Sequence, residues 1–391
     1  MKVVIIGGVA GGATAAARLR RLDEQAEIVM LERSGYVSYA NCGLPYYVGG
    51  VITDQEELTL QTPESFRRRF AVDVRVRHEA TAIDPTRKTV TVRRLEDGSE
   101  YEEAYDKLLL SPGARPLRPA LPGVESARVF TLRTVEDTLR LHTFIQSSAP
   151  RSAVVVGGGF IGLEMMENLT HQGIQVTVVE KQRQVMAPID YDMACGVHAY
   201  LRDKGVALRL DAAVEGFEET DSSLSVRLEG GERLETDMVV LALGVVPDTG
   251  LAKEAGLTLG GRGAIVVNDR METSAPDIYA VGDAVQITHA VTGDPAWVPL
   301  AGPANKQGRI AADNISGRDS RFDGSQGTSI LRVFDMTVAA TGLNERAAEA
   351  AGYRFDKVVT FSPSHATYYP GASNMTIKTV FERGSGRILG A

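Results

Sequence analysis

A short apolar run that breaks into a glycine-rich turn and then a helix occurs twice in this chain, and no other feature constrains the fold as strongly. In the first copy Lys2 to Ile6 is strand-like, and GGVAGGATAAARLRRL leads into a helix rich in Ala and Leu. A turn of this kind presents backbone N–H groups at a helix N-terminus, where a phosphate binds. Gly7 and Gly12 hold the outer places of G-x-G-x-x-G, but Val9 stands in the middle, so this match alone is weak and an ordinary βαβ unit remains the alternative. The following strand, Glu27 to Leu31, ends at Glu32, about 20 residues on, where a carboxylate reaches a ribose hydroxyl. In the second copy Ala153 to Val156 is the strand and Gly157, Gly159 and Gly162 complete the fingerprint. A helix then runs to about His171, Gly173 caps it, and the strand Gln175 to Val179 ends at Glu180. The downstream plan repeats as well. Residues 73 to 105 alternate as an antiparallel meander before the strand Lys107 to Leu110 and Ser111-Pro112-Gly113, and short strands from 206 to 235 precede Met238 to Leu243 and Gly244. Chance fingerprints do not repeat their downstream strands, so two dinucleotide sites are expected.

Between the two copies lies YVSYANCGLPYYVGG, which carries Cys42. Gly43 frees the backbone and Pro45 suits a first helical turn, so Cys42 is expected at a helix N-terminus, with amide groups lowering its thiol pKa. A lone cysteine is more often a small buried apolar residue, and the neighbouring cofactor motifs are what favour a nucleophile. The other cysteine, Cys195, falls in the helical run DMACGVHAYLRDKG and reads as a core residue. An internal redox disulfide at Cys42 would need Cys195 as its partner; without one, Cys42 would exchange with an outside sulfur or form a sulfenic acid.

The 391 residues suffice for two or three domains, and 43% hydrophobic with 24% charged is ordinary globular composition. A net charge of -8 gives no general affinity for nucleic acid or an anionic membrane, so an anionic ligand needs local basic clusters. Two candidates are Arg18 with Arg21, and Arg67 to Arg69 on a helix that Thr62 caps and Pro63 opens; for both, a solvated helix face is the alternative. No apolar run reaches the roughly 18 residues of a bilayer span, and the chain begins directly with a strand, which reads as cytoplasmic. Prolines 116, 119 and 122 mark a crossover. After the second copy, TSAPDIYAVGDA returns a strand, Ile278 to Val281, ending at Gly282 and Asp283, where open α/β sheets bind ligands. A helix follows through Gly302 and Pro303. The expected divisions are 1–115 and 248–325 for the first dinucleotide-binding domain, 116–247 for the second, and 326–391 for a third. That third part holds strands, a helix near Asn344 to Ala351, and the aromatic loop SHATYYPGA. It stops at Ala391 just after a strand begins, so more sequence is expected.

With both fingerprints, the acidic strand ends, the SPG turn and YAVGDA in place, the chain resembles the flavoprotein disulfide reductases of the pyridine nucleotide-disulfide oxidoreductase superfamily over its full length. SYANCGLPY, LAGPANKQGR and SHATYYPG narrow this to the coenzyme A disulfide reductases and the similar coenzyme A persulfide or polysulfide reductases. The resemblance implies an α/β fold, glutathione-reductase-like, with two Rossmann-like domains and a C-terminal α+β dimerisation domain. It implies FAD held at Gly7, Val9, Gly12, Glu32, Arg33, Asn41, Ser111, Gly113, Gly282, Asp283, Pro299, Leu300, Ala301 and Ala304. NADH or NADPH falls to Gly157, Gly159, Ile161, Gly162, Glu180 and Gly244, with Glu180 favouring NADH. Coenzyme A is implied at Thr14, Arg18, Arg21, Ser38, Asn41, Arg68 and Arg69. Cys42 would cycle through a mixed disulfide with coenzyme A, and in a homodimer Tyr368 or Tyr369 would complete the site across the interface. No metal is expected. A sulfurtransferase domain follows in some relatives, and Val9 is a replacement they share. The alternative activities are an NADH oxidase or peroxidase working through a cysteine sulfenic acid, and a flavin redox sensor with little turnover. Oxidases and peroxidases carry a histidine in the first turn where this chain has Ala10, which counts against peroxide chemistry.

Overall fold

The computed structural model describes residues 1–220 and 223–391. It begins with strand β1 (Lys2–Ile6), helix α1 (Ala10–Leu22) and strand β2 (Glu27–Glu32). Beyond the short helix α2 (Leu44–Val48) the plan recurs as β3 (Ser152–Val156), helix α3 (Phe160–His171) and β4 (Gln175–Val179). Each copy builds a five-stranded parallel sheet. In the first, Ile278–Ala280, Lys107–Leu110, β1, β2 and Asp73–Val76 lie side by side, so the chain does come back to this sheet after finishing the second. In the second, the order is Val129–Thr131, Met238–Leu241, β3, β4 and Ala207–Arg209. Val3, Val4 and Ile5, like Val154 and Val155, are buried because both faces of each sheet are covered: Val155 faces α3, and Val154 faces the residues Phe217, Leu224 and Val226 on the other side.

Three-stranded antiparallel meanders, residues 78–104 and 214–236, accompany the two sheets. The meander expected from residue 73 starts later, because Asp73–Val76 pairs with β2 in the parallel sheet. Gly7 and Gly157 adopt φ of +97° and +111°, and a Cβ on either would strike a carbonyl oxygen, of Ser111 and of Ala242 respectively. Each tight turn therefore rests on the closing strand of its own sheet.

Helix α4 (Tyr191–Asp203) carries Cys195 on its exposed side, which corrects the core reading: Ala194 and Val197 take the buried positions instead. Helix α5 (Ala301–Ile315) lies against α1. The C-terminal part contains a hairpin, Ser329–Val333 with Met336–Ala340, and a sheet of β5 (Phe355–Pro363), β6 (Asn374–Glu382) and Ile388–Gly390. Among the described residues no helix is long and apolar enough to cross a membrane.

A buried cation ties this part to α4. Lys378 on β6 has a side chain only 4% exposed, and its ammonium lies 3.1 Å from Asp190 and 2.7 Å from Asp192 and also contacts Glu345. Burial alone would raise the two acids Asp192 and Glu345, but hydrogen bonds from lysines hold both below the ordinary carboxylate range. Burial likewise opposes the charge on Lys378, and its bonds to Asp192, Glu345 and Asp190 outweigh that and raise its pKa. Lys378→Met is expected to cost about 3 kcal/mol, seen as a lower Tm, by leaving Asp190 and Asp192 without their cation and Glu345 with Lys357 alone. By linkage, the carboxylate share of that stability is present above their ordinary pKa of about 4 and is lost as pH falls through the depressed folded values. The lysine share is complete below about pH 10 and fades as pH rises through the raised value. The Tm gap between parent and variant should therefore stay level through neutral pH and narrow in acid.

Candidate active site

The segment bearing Cys42 is pinned to the first glycine turn. Ser38, in the left-handed region at φ 49°, donates its N–H to the Gly8 carbonyl oxygen at 2.8 Å, and Ala40 N–H donates to Leu58 O at 2.7 Å. Asn41–Gly43 then forms a single 3-10 turn that runs into α2 with Pro45 in its first turn, as expected. Helix α2 is fixed from the other side by α3 and its C-terminal residues. Gln172 donates to the Gly49 carbonyl at 2.6 Å, and a Cβ on Gly49 would collide with the Asn168 side chain. Cys42 thus stands between the two halves of the molecule, free and open to solvent.

Its acidity runs opposite to the expectation. The surrounding protein pushes the Cys42 thiol up, the carboxylates of Glu164 and Asp283 push it further, and only Arg133 pulls it down. A five-residue helix offers little dipole to set against two carboxylates. The protein scaffold by itself therefore favours the thiol, and a thiolate needs positive or electron-withdrawing character from what binds beside it. Glu164, one turn into α3, is itself raised to about 7 by burial and by its neighbour Glu167.

The two glycine turns share a carboxylate arrangement as well as a fold. Glu32 accepts from Gly8 N–H at 2.8 Å and from Ser34 N–H at 2.9 Å; Glu180 accepts from Gly158 N–H at 2.7 Å and from Gln182 N–H at 2.8 Å. In both, the acid at the end of the second strand is held against the turn. Val9 and Gly159 are the N-cap residues of α1 and α3, and neither N-terminus has a side-chain cap. Uncapped N–H groups suit a phosphate. Gly159 adds an independent sign: at φ -81° a Cβ there would meet no protein atom within 4 Å, so the fold does not demand glycine, whereas a close-lying pyrophosphate would. Ile161 follows in the first turn of α3, and Gly162 abuts Gly157 O. Gly244, at φ +96°, closes the Met238–Leu241 strand region beside this turn.

Around the first turn, Ser111 Oγ accepts from Gly12 N–H at 3.1 Å, and Gly282 N–H donates to the buried Gln307 at 2.7 Å. Burial raises Asp283, and Arg133, 3.4 Å away, opposes this in part. The Asp283 carbonyl accepts from the Trp297 indole at 2.7 Å. Gly113 adopts φ +76° next to the Arg133 guanidinium, and Arg33 pairs with Asp248 at 2.8 Å on an exposed face. Leu300 precedes α5, which starts at Ala301 with Pro299 just before it and Ala304 buried inside. These residues fit a dinucleotide laid along the Gly7–Gly12 turn with Asp283 and the start of α5 beside it. Arg133, Glu164 and Trp297 were not foreseen, and Asn305 and Gln307, although inside the quoted LAGPANKQGR, were given no role.

Of the residues considered for coenzyme A, Ser38 and Asn41 share the Cys42 segment, while Thr14 and Arg18 lie along the α1–α5 seam. Thr14 Oγ1 donates to Asn305 at 2.7 Å and Arg18 pairs with Asp313 at 2.9 Å. Arg21 is exposed in the last turn of α1. Arg68 and Arg69 are exposed on the helix Pro63–Phe70, which Thr62 caps as expected, and Arg69 lies over the Phe70 ring. Tyr368 and Tyr369 sit in the loop joining β5 and β6, 83% and 62% exposed, with ring centroids 5.1 Å apart. Within one chain they do not join the site.

Residues 1–308 match the family model described as pyridine nucleotide-disulphide oxidoreductase, and residues 328–391 match the dimerisation domain of the same family. The chain belongs to this family, and it is an NAD(P)H-dependent flavoprotein oxidoreductase with FAD as its cofactor. More particularly, it is 35% identical to the coenzyme A disulfide reductase of Staphylococcus epidermidis, over all of this chain and 87% of that relative. Among solved structures it is similar to reduced Bacillus anthracis CoADR-RHD, at 50% identity and a TM-score of 0.97, covering this whole chain and 70% of that one. An NAD-dependent persulfide reductase from A. fulgidus matches at 40% identity and a TM-score of 0.97, with 100% and 73% covered. A water-forming NADH oxidase from Lactobacillus brevis matches at 31% and 0.94, with 100% and 86% covered.

Proposed function

We propose that this enzyme reduces coenzyme A disulfide, persulfide or polysulfide through Cys42. The observation that carries the reading is one solvent-open cysteine fastened to the first dinucleotide turn, with no partner cysteine beside it. The names of the relatives support it. FAD held along the Gly7–Gly12 turn, with Ser111 and Asp283 beside it, would supply the two electrons for sulfur reduction that the nicotinamide cofactor delivers as hydride. Two electrons break the S–S bond of a Cys42–coenzyme A mixed disulfide, giving one Cys42 thiolate and one coenzyme A thiolate. The Cys42 thiolate then attacks the next coenzyme A disulfide, expels a second thiolate and restores the mixed disulfide. For each NADH and proton consumed, one disulfide becomes two thiols. Glu164 and Asp283 oppose the thiolate, which makes Cys42 a good leaving sulfur less readily and keeps it reactive once formed. Mass spectrometry of the non-reduced protein tests the thiol partner: a coenzyme A adduct on Cys42 is the expected result, and a sulfenic or sulfinic acid there would favour the oxidase reading. Ala10 in the first turn, where oxidases and peroxidases are expected to carry histidine, weighs against that second reading. Two free cysteines suit a reducing compartment, the cytoplasm.

We assign the nicotinamide cofactor's ribose to Glu180 and expect NADH to be preferred, since a carboxylate repels a 2'-phosphate. Lys181 and Arg183 follow closely enough to soften this, so the preference should be moderate. A higher kcat/KM for NADPH would show that Glu180 does not read the ribose.

The active unit in this reading is a homodimer. The β5–β6 hairpin exposes Phe361 at 79% and both tyrosines, a surface that a second copy would cover. One phenol would donate to the sulfur that leaves as the disulfide breaks, and the other would pack. Tyr368→Phe or Tyr369→Phe should therefore remain dimeric yet slow disulfide reduction by about tenfold in one case. Parent-like turnover in both variants, or an active monomer, would remove the cross-subunit role.

A further inference from the structure

We infer that His198 is a positioning residue of the nicotinamide cofactor's site: its ring holds the segment Val185-Met186 beneath the second glycine turn and so keeps that turn in shape for a pyrophosphate. The inference rests on the assignment of the cofactor to that turn. Gly158 is held at both of its backbone groups. Its N–H donates to Glu180 at 2.7 Å, and its carbonyl accepts from Met186 N–H at 2.9 Å. Val185 is fully buried against it, since a Cβ on Gly158 would come within 2.6 Å of Val185 Cγ1. Met186 is buried too and lies in the left-handed region at φ 55°, which a residue with a side chain keeps only where its surroundings enforce it. The neighbouring bond helps to enforce it: Val185 N–H donates to His198 Nε2 at 3.2 Å in the interior.

The first turn is built in the same way, with one difference. Ser38, at φ 49°, donates its N–H to Gly8 O at 2.8 Å, and a Cβ on Gly8 would come within 2.8 Å of Val37 Cγ2. Val37 and Ser38 are therefore the counterparts of Val185 and Met186. Val37 is secured by main chain, through an antiparallel bridge to Gln61, whereas Val185 is secured by an imidazole. Only the second arrangement can titrate. A backbone N–H can only donate, so Nε2 is the bare nitrogen and the ring's hydrogen is on Nδ1. A proton added at Nε2 would remove the acceptor and leave the Val185 N–H unpaired in the core.

The setting keeps the ring neutral. His198 is buried, and burial, with Arg202 one turn further along α4, holds its pKa below the ordinary histidine value. From the facing segment Arg183 lies 4.3 Å from the centre of the Tyr191 ring, which meets His198 edge-on at 6.3 Å. Asp190 and Asp192, where α4 starts, are engaged by Lys378, and Arg209 on the adjoining strand Ala207–Arg209 pairs with Glu232 at 2.9 Å. The bond to Val185 is thus intact at neutral pH and is lost as pH falls below about 6.5 and through the lowered folded value.

The test measures the affinity of the oxidised holoenzyme for NAD+ between about pH 8 and about pH 5 in the parent, His198→Gln and His198→Phe. Glutamine supplies an acceptor oxygen near the place of Nε2 and does not titrate, while phenylalanine keeps a ring and removes the acceptor. In the parent Kd should be level near neutrality and rise about tenfold in acid, the scale of one lost hydrogen bond, because only chains with a held turn bind. His198→Gln should match the parent at neutral pH and stay level in acid, and His198→Phe should bind about tenfold more weakly throughout. KM for NADH should follow Kd at unchanged kcat. Hydrogen exchange at the Val185 amide should be faster in His198→Phe and parent-like in His198→Gln. Identical pH profiles in the parent and His198→Gln would overturn the inference, a comparison that stands even if His198→Phe folds poorly. So would parent-like affinity in a folded His198→Phe. Failure of the cofactor assignment looks different: Gly159→Val would then also bind NAD+ like the parent, while exchange at the Val185 amide would still set His198→Phe apart.

Discussion

Cys42→Ser is expected to keep FAD, accept hydride from NADH at close to the parent rate, and lose at least a thousandfold in disulfide or persulfide turnover, in the manner of an enzyme without its nucleophile, at about that scale. The serine hydroxyl is too weakly acidic to attack sulfur, and the setting makes this worse. The surrounding protein, which strips part of the water from the sulfur, and the carboxylates of Glu164 and Asp283 disfavour an anion at position 42 even for a thiol. The substitution should not disturb the fold. Position 42 is exposed, and the segment is held by backbone bonds from Ser38 to Gly8 and from Ala40 to Leu58 that do not involve the sulfur. Anaerobic stopped-flow following the flavin colour separates the two halves of the reaction, and the coenzyme A adduct should vanish from the mass spectrum. Turnover within tenfold of the parent would show that Cys42 is not the residue that exchanges sulfur.

Gly159→Val is the second large effect. The backbone there is at φ -81° and a Cβ touches no protein atom within 4 Å, so valine fits the folded chain. The space it fills lies at the uncapped start of α3, where the pyrophosphate of the nicotinamide cofactor would lie. Weakening of about a hundredfold in the apparent affinity for NADH is expected, corresponding to about 2.7 kcal/mol. Dithionite should still reduce the flavin, and Tm should hold. Gly157→Val makes the contrast. With φ at +111° and the Ala242 carbonyl in the way, that variant should fold poorly whatever the cofactor. If Gly159→Val keeps parent kinetics with NADH, the open space beside Gly159 does not hold the cofactor.

The two variants also show where reading the chain worked and where it stopped. Both dinucleotide turns, their strands and the N-cap at Thr62 were legible because each depends on neighbours within a few residues: an apolar run, a glycine, a proline, a capping hydroxyl. The helix Phe160–His171 and the strand Gln175–Val179 fall where the residues place them. The strand Val129–Thr131 was not legible. It is three residues long and becomes a strand only by pairing with Met238–Leu241, more than a hundred positions away. The buried Lys378 was hidden for the same reason, since its three carboxylates come from α4 and the Asn344 region and nothing local marks it.

The amino-acid sequence by itself determined that this chain folds into two parallel sheets with phosphate-binding turns and a lone cysteine between them, because periodicity, turn chemistry and the fingerprint spacing are local properties. Only the tertiary structure decided the charge around that cysteine. Glu164 is distant from Cys42 in sequence, as are Asp283 and Arg133, and folding brings all three near enough to set the direction of the thiol's pKa. It also turned Cys195 outward and set the His198 ring against the Val185 N–H. Coulomb interactions and burial depend on distances through space, and a helix dipole inferred from a proline and a glycine cannot anticipate them.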